Sequence, residues 1–196
     1  MNARILVVCT ANACRSPLAE QLLRARLADW MPGEFSVSSA GTRAAYNHPA
    51  CREVGRFLDR QGLDQVAHHP RQLTRELIDD AQLVLTADRD HRAAVARLDP
   101  EARRRTFTLR EAAALAAEAA RAADPRGEPG RAAPADRLAG FVDQLNRARG
   151  LVEPIFDIAD GHGFSGRRHR VALQLVDEAV AGIAAGLALD RSLPQN

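Results

Sequence analysis

The chain has 196 residues, with 27 basic residues that are all arginine, 25 carboxylates, a formal net charge of +2 and three cysteines. That length suits one domain with a full core over residues 1–196, and so even a charge gives no electrostatic case for nucleic acid or a membrane as partner. No uninterrupted stretch approaches the roughly 18 apolar residues of a membrane span, no leader peptide opens the chain, and three thiols fit a reducing compartment better than a disulfide framework, so the cytoplasm is the expected location.

The apolar, β-branched run Ile5 to Val8 predicts a strand buried on both faces, and Pro17 followed by Leu18, Leu22 and Ala25 predicts a helix start. The loop between them, Cys9-Thr10-Ala11-Asn12-Ala13-Cys14-Arg15-Ser16, therefore wraps a helix N-terminus. Unpaired amides and the positive end of the helix dipole suit such a loop to an oxyanion, and Arg15 adds a planar fork of donors. Cys9 stands at the start of this anion site. The same field stabilises its thiolate, which makes Cys9 a candidate nucleophile.

With Asn12, Cys14 and Pro17 at their positions and a strand in front, the spacing Cys9-x5-Arg15-Ser16 resembles the phosphate loop of the low-molecular-weight protein tyrosine phosphatases, relatives of the thiol-dependent arsenate reductases. The resemblance implies that Cys9 attacks phosphorus, Arg15 binds the equatorial oxygens, Ser16 hydrogen-bonds the leaving thiolate and Asn12 holds the loop's shape, while Thr10 to Cys14 line the phosphate. Ala11 replaces the family's usual glycine. If that position needs a positive φ, alanine costs roughly 1 kcal/mol there.

Further along, Glu34 to Ala40 alternates as a second strand. The resemblance puts Ser39 in a hydrogen-bond network under the phosphate loop, where the residues alone read as a strand end and turn. Tyr46, the single tyrosine, is either the family's aromatic lining the cleft or a surface residue with no role. Val54, Phe57 and Leu58 predict a helix capped by Gly62. His68 and His69 precede Pro70 with their side chains pushed apart, and no Cys/His/carboxylate set stands at metal spacing, so neither a metal nor a cofactor is expected. The resemblance places His69 beneath the phosphate loop with its serine and asparagine. Thr74 caps a short helix, Gln82 to Thr86 is a third strand, Asp88 to Leu98 a helix with His91 exposed, and Thr106 to Leu109 a fourth strand. A helix over 110–123, a flexible Pro/Gly/Arg/Ala insert over 124–136 and helices over 136–149 and 168–189 complete the chain. Such alternation predicts an α/β fold of three layers, a four-stranded parallel sheet with helices on both faces and the phosphate-binding loop after the first strand.

Hydrolysis of a phosphate monoester needs a proton for the leaving alkoxide, and a carboxyl group near the cleft is the usual source. Asp157-Ile158-Ala159-Asp160-Gly161-His162-Gly163 sits where the resembled family has an Asp-Pro-aromatic acid loop. The match makes Asp160 the general acid and base and leaves Asp157 as a turn or cap residue. Gly161 replaces proline and adds backbone freedom, while His162 replaces the aromatic wall. The expected function is metal-independent hydrolysis of a phosphotyrosine protein or small aryl phosphate through a cysteinyl-phosphate on Cys9, with phosphate and other oxyanions as ligands. Two alternatives stand beside it. One is an arsenate reductase using a low-molecular-weight thiol, since the thioredoxin-coupled type needs two further cysteines where only Cys51 remains. The other is a non-catalytic phosphate-binding module, suggested by Ala11 and the altered acid loop and opposed by Cys9, Arg15 and Asp160.

Overall fold

In the computed structural model, which describes residues 2–44, 50–64, 67–122, 133–153, 157–161 and 166–189, four strands form one parallel sheet. They are β1 (Ala3–Cys9), β2 (Phe35–Gly41), β3 (Leu83–Thr86) and β4 (Thr106–Thr108), in the order β2-β1-β3-β4. The helices are α1 (Arg15–Trp30), α2 (Arg52–Arg60), α3 (Arg75–Asp79), α4 (Arg89–Leu98), α5 (Leu109–Ala122), α6 (Pro134–Ala148) and α7 (Gly166–Leu189), with a 3-10 turn at Pro100–Arg105. Tyr46, His162 and most of the expected insert lie outside the described residues. The insert's far end differs from expectation, because α6 already begins at Pro134, whose fixed φ suits a first helical turn.

Burial on both faces follows from the sequence of β1. Ile5 and Val7 point into a cluster with Leu18 and Leu22 of α1, Leu115 of α5, Phe141 of α6 and Val180 of α7, while Leu6 and Val8 meet Ile78 of α3 and Val95 of α4. Each such side chain withdrawn from water contributes roughly 1.5–3 kcal/mol, so the central strand is anchored from both sides. Gly166–Ala188, within α7, is long and apolar enough by length and composition to cross a membrane, which an unbroken apolar count misses because Asp177 and Glu178 interrupt it. Its Leu173, Val176, Val180, Ile183 and Leu187 are instead part of the core, and α7 packs against α1 and α5.

Parallel strands bring their carboxyl ends to one edge of the sheet. Cys9 closes β1, Gly41 closes β2, and Thr86 leads through Ala87 to Asp88 after β3. Every group of the site described next departs from that edge or is held against it.

Candidate active site

The carbonyls of the loop after β1 turn outward. Cys9 O accepts from the Thr42 amide at 2.9 Å, Thr10 O from Arg43 at 2.9 Å, Ala13 O from Cys51 at 2.8 Å and Cys14 O from Leu18 at 3.1 Å. Asn12 O accepts from His68 Nε2 at 2.6 Å. In a planar trans peptide the N–H opposes the C=O, so the amides of Thr10, Ala11, Ala13, Cys14 and Arg15 face the concave side. That is the geometry of an anion nest at a helix N-terminus. β2 must come close to hold it, and Gly41 permits the approach: a Cβ there would stand 2.5 Å from Thr10 O.

Asn12 fixes the loop from below, as the resemblance implied, and it also carries the positive φ. Its φ is +53°, whereas Ala11 is not among the described residues with positive φ, so the strain expected at Ala11 does not arise. Asparagine tolerates this left-handed conformation better than most side chains. Asn12 Nδ2 donates to Ser16 Oγ at 3.0 Å and to Ser39 Oγ at 2.8 Å, and Oδ1 accepts from the Arg71 amide at 2.9 Å. Ser39 Oγ in turn donates a hydrogen bond to the Glu20 carboxylate, so it belongs to the network under the loop. His69 does not. It is exposed, and the neighbouring His68 makes the contact to Asn12, because the chain before Pro70 turns one imidazole inward and the other out. Arg71, unmarked by the sequence reading, adds two bonds from its guanidinium to Ser39 O at 3.2 and 3.0 Å.

Cys9 Sγ lies 3.0 Å from Ser16 Oγ, and both are buried. Since Asn12 occupies an acceptor site on Ser16, the serine hydroxyl proton is left for the sulfur at 3.0 Å or the more distant Ala40 O at 3.5 Å. Arg15, only 3% exposed, is held at four points: Nη1 donates to Ile158 O at 2.9 Å and Asp88 at 3.2 Å, and Nη2 donates to Asp160 at 3.0 Å and Thr10 Oγ1 at 3.3 Å.

His91 is buried, contrary to the exposed position expected for it. Its Nε2 is 2.9 Å from Thr10 Oγ1 and its Nδ1 2.7 Å from Asp88 Oδ1. Burial pushes the Asp88 carboxyl upward, but the bonds from His91 outweigh it and, with the Arg15 charge, hold Asp88 below the usual carboxylate range. Asp88 is therefore an orienting anion for Arg15 as well as the start of α4. The available signal was its place: an N-cap aspartate at the carboxyl end of β3, with a histidine at the third helical position.

The segment expected to carry the acid meets this cluster from the far end of the chain. Asp160 reaches Arg15, whereas Asp157 turns to Arg89 at the start of α4, accepting from its amide at 2.9 Å and from its guanidinium at 2.8 Å. Gly161 does not loosen the segment. It is buried, and a Cβ on it would stand 2.6 Å from His169 Cα, so glycine is what lets this chain pass under the first turns of α7. Cys14, Cys51 and His169 also converge, which residues 37 and 118 positions apart could not announce.

Residues 4–148 match the family described as low molecular weight phosphotyrosine protein phosphatase. The low molecular weight protein-tyrosine-phosphatase Etp of Escherichia coli is 40% identical over 103 residues, which are 53% of this chain and 66% of that protein. A protein-arginine-phosphatase of Geobacillus stearothermophilus is 37% identical over 147 residues, 74% of this chain and 95% of that protein. The structure of Vibrio vulnificus Wzb in complex with benzylphosphonate superposes with a TM-score of 0.63 at 25% identity, covering 94% of this chain and 99% of that one. The chain thus spans about two thirds of the length of the Escherichia coli relative and nearly all of the Geobacillus one.

Proposed function

This chain belongs to the low molecular weight phosphotyrosine protein phosphatase family, and we propose that it hydrolyses phosphate monoesters on protein, phosphotyrosine above all, with Cys9 as nucleophile. One observation carries the reading. A buried thiol 3.0 Å from a serine hydroxyl lies in an amide-lined loop whose Arg15 is 3.0 Å from a carboxylate.

Cys9 Sγ attacks phosphorus as the bond to the leaving oxygen breaks, and Asp160 delivers its proton to that oxygen. Water then attacks the cysteinyl-phosphate, Asp160 takes the water's proton, and the S–P bond breaks with the returning thiolate held by Ser16. Arg15 and the loop amides carry the charge of the equatorial oxygens, so this reaction needs no metal ion. The benzylphosphonate held by the Vibrio relative supports an aryl phosphate as the substrate class. The cytoplasm, where the free thiols of Cys9, Cys14 and Cys51 would persist, belongs to the same reading, as does the absence of an electrostatic pull toward nucleic acid or membrane.

A second reading, phosphoarginine hydrolysis, is favoured by the Geobacillus relative, which is matched over 95% of its length. Purified protein assayed in parallel with a phosphotyrosine peptide, phosphoarginine, and arsenate plus a low-molecular-weight thiol separates these readings. Cys9→Ser should abolish turnover yet still bind vanadate, and Arg15→Lys should lose most activity because an ammonium cannot replace the fork. Substantial turnover by Cys9→Ser would remove the nucleophile assignment, and no turnover of any substrate by the parent would leave only a phosphate-binding module.

A further inference from the structure

Cys14, Cys51 and His169 come from three elements: the end of the phosphate loop, the N-cap of α2 and the first turns of α7. Cys51 Sγ lies 3.5 Å from His169 Nε2, and the three donor atoms all fall within 4.8 Å of one another. A tetrahedral metal with bonds of about 2.3 Å to sulfur and about 2.05 Å to nitrogen would hold those two ligands about 3.6 Å apart. The Cys51–His169 hydrogen-bond distance thus lies close to that bite, and Cys14 Sγ is near enough to complete it with a small movement. Cys14 and His169 are buried and Cys51 half-buried, so little conformational freedom remains to be lost when a metal arrives.

We propose that Cys14, Cys51 and His169 form a site for a thiophilic divalent metal of the zinc class, beside the phosphate loop and without the nucleophile Cys9 as a ligand. The donor set of two sulfurs and one imidazole nitrogen selects such a metal over magnesium or calcium, and three protein ligands leave the fourth tetrahedral position to an exogenous one. Binding the metal as a dithiolate releases the protons of both thiols.

Such a metal would brace the site. Cys51 already ties its amide to Ala13 O at 2.8 Å, and His169 is the residue against which Gly161, next to Asp160, is packed. A bond from Cys14 through metal to His169 thus joins the phosphate loop to the segment carrying the acid.

The test uses the full chain, reduced with a phosphine, stripped by a chelator and titrated with Co²⁺ without oxygen. One equivalent should produce sulfur-to-cobalt charge-transfer absorption together with the visible bands of tetrahedral cobalt, and Zn²⁺ should erase both. Cys51→Ser should lose about half of the charge-transfer intensity, since one of two sulfurs remains. His169→Gln should keep both sulfur ligands and weaken binding at least about tenfold. Cys9→Ser should leave the spectrum unchanged, and circular dichroism of the metal-free proteins checks their folding. The proposal is overturned by a reduced parent with no tetrahedral bands, by spectra and affinities that neither Cys51→Ser nor His169→Gln alters, or by a spectrum that disappears in Cys9→Ser.

Discussion

Arg15 and Asp160, 145 residues apart, are joined at 3.0 Å, so in the proposed mechanism the cation that would receive the phosphoryl oxygens is held by the carboxyl group that would serve the leaving oxygen. An incoming phosphate competes with Asp160 for the guanidinium. Arg15 is buried but Asp160 is 45% exposed, so solvent screens the pair and holds its contribution to about 1 kcal/mol. Asp160→Asn should therefore tighten inhibition by inorganic phosphate or vanadate by no more than about fivefold. The same variant should lower turnover of phenyl phosphate by roughly 10²- to 10⁴-fold, because a basic leaving group needs the proton, and that of p-nitrophenyl phosphate much less. Equal losses on both substrates would assign Asp160 to loop structure. Weaker phosphate binding would show that its link to Arg15 organises the anion site instead of competing for it.

Gly161 gives a second prediction. A Cβ there meets backbone, at 2.6 Å from His169 Cα and 3.2 Å from Arg168 O, and backbone cannot swing aside as a side-chain tip can. Gly161→Ala should cost about 1–3 kcal/mol of stability and displace Asp160, so turnover of phenyl phosphate falls further than that of p-nitrophenyl phosphate. Gly166→Ala is the control, since its Cβ would find only Arg170 Nη1 at 3.5 Å. Denaturant melts that rank the two alanine variants alike would refute this packing account.

The fold was legible because its signals are local. An apolar run reads as a strand buried on both faces, Pro17 marks a helix start, and alternating strands and helices fix the layers. The phosphate loop was legible for the same reason, since Cys9 through Ser16 is one continuous segment. What failed depended on side-chain direction or on distance along the chain. His68 and His69 differ by one position, so spacing could not say which turns toward Asn12. His91 looked like any polar helix residue until Thr10 and Asp88 were seen on either side of it. Gly161 read as a loosened hinge because the α7 backbone that crosses it follows later in the chain.

Asp88 carries a pH dependence whose sign is fixed. Its carboxyl is held below the unfolded value of about 3.9, so between the two values the unfolded chain binds more protons and stability rises with pH. The contribution is complete above about pH 3.9 and is lost as pH falls through the folded value. Asp88→Asn should be less stable than the parent near neutrality, with a gap that narrows below about pH 4. Urea melts at both pH values measure the gap, and the other carboxylates cancel in the difference. A gap that is constant or grows in acid would mean that Asp88 is not stabilised as an anion by Arg15 and His91.

The last prediction concerns which residue of the loop bears the left-handed backbone. Glycine at position 11, usual in the family, suggested that Ala11 is strained, yet the positive φ belongs to Asn12, at +53°. Ala11→Gly should therefore bring no relief and should destabilise by about 0.5–1 kcal/mol, because the unfolded chain gains freedom that the native loop does not need. At Asn12 the two small substitutions part company. Both Asn12→Gly and Asn12→Ala lose the bonds to Ser16 Oγ at 3.0 Å, Ser39 Oγ at 2.8 Å and the Arg71 amide at 2.9 Å, but only alanine also places a Cβ in the left-handed region. Alanine should be the less stable of the two by about 1 kcal/mol, and both should slow dephosphorylation of Cys9 because Ser16 is no longer oriented. Stopped-flow burst kinetics with p-nitrophenyl phosphate would register that as a larger fraction of enzyme held as cysteinyl-phosphate. A gain in stability from Ala11→Gly, or an Asn12→Ala variant as stable as Asn12→Gly, would move the left-handed residue elsewhere in the loop.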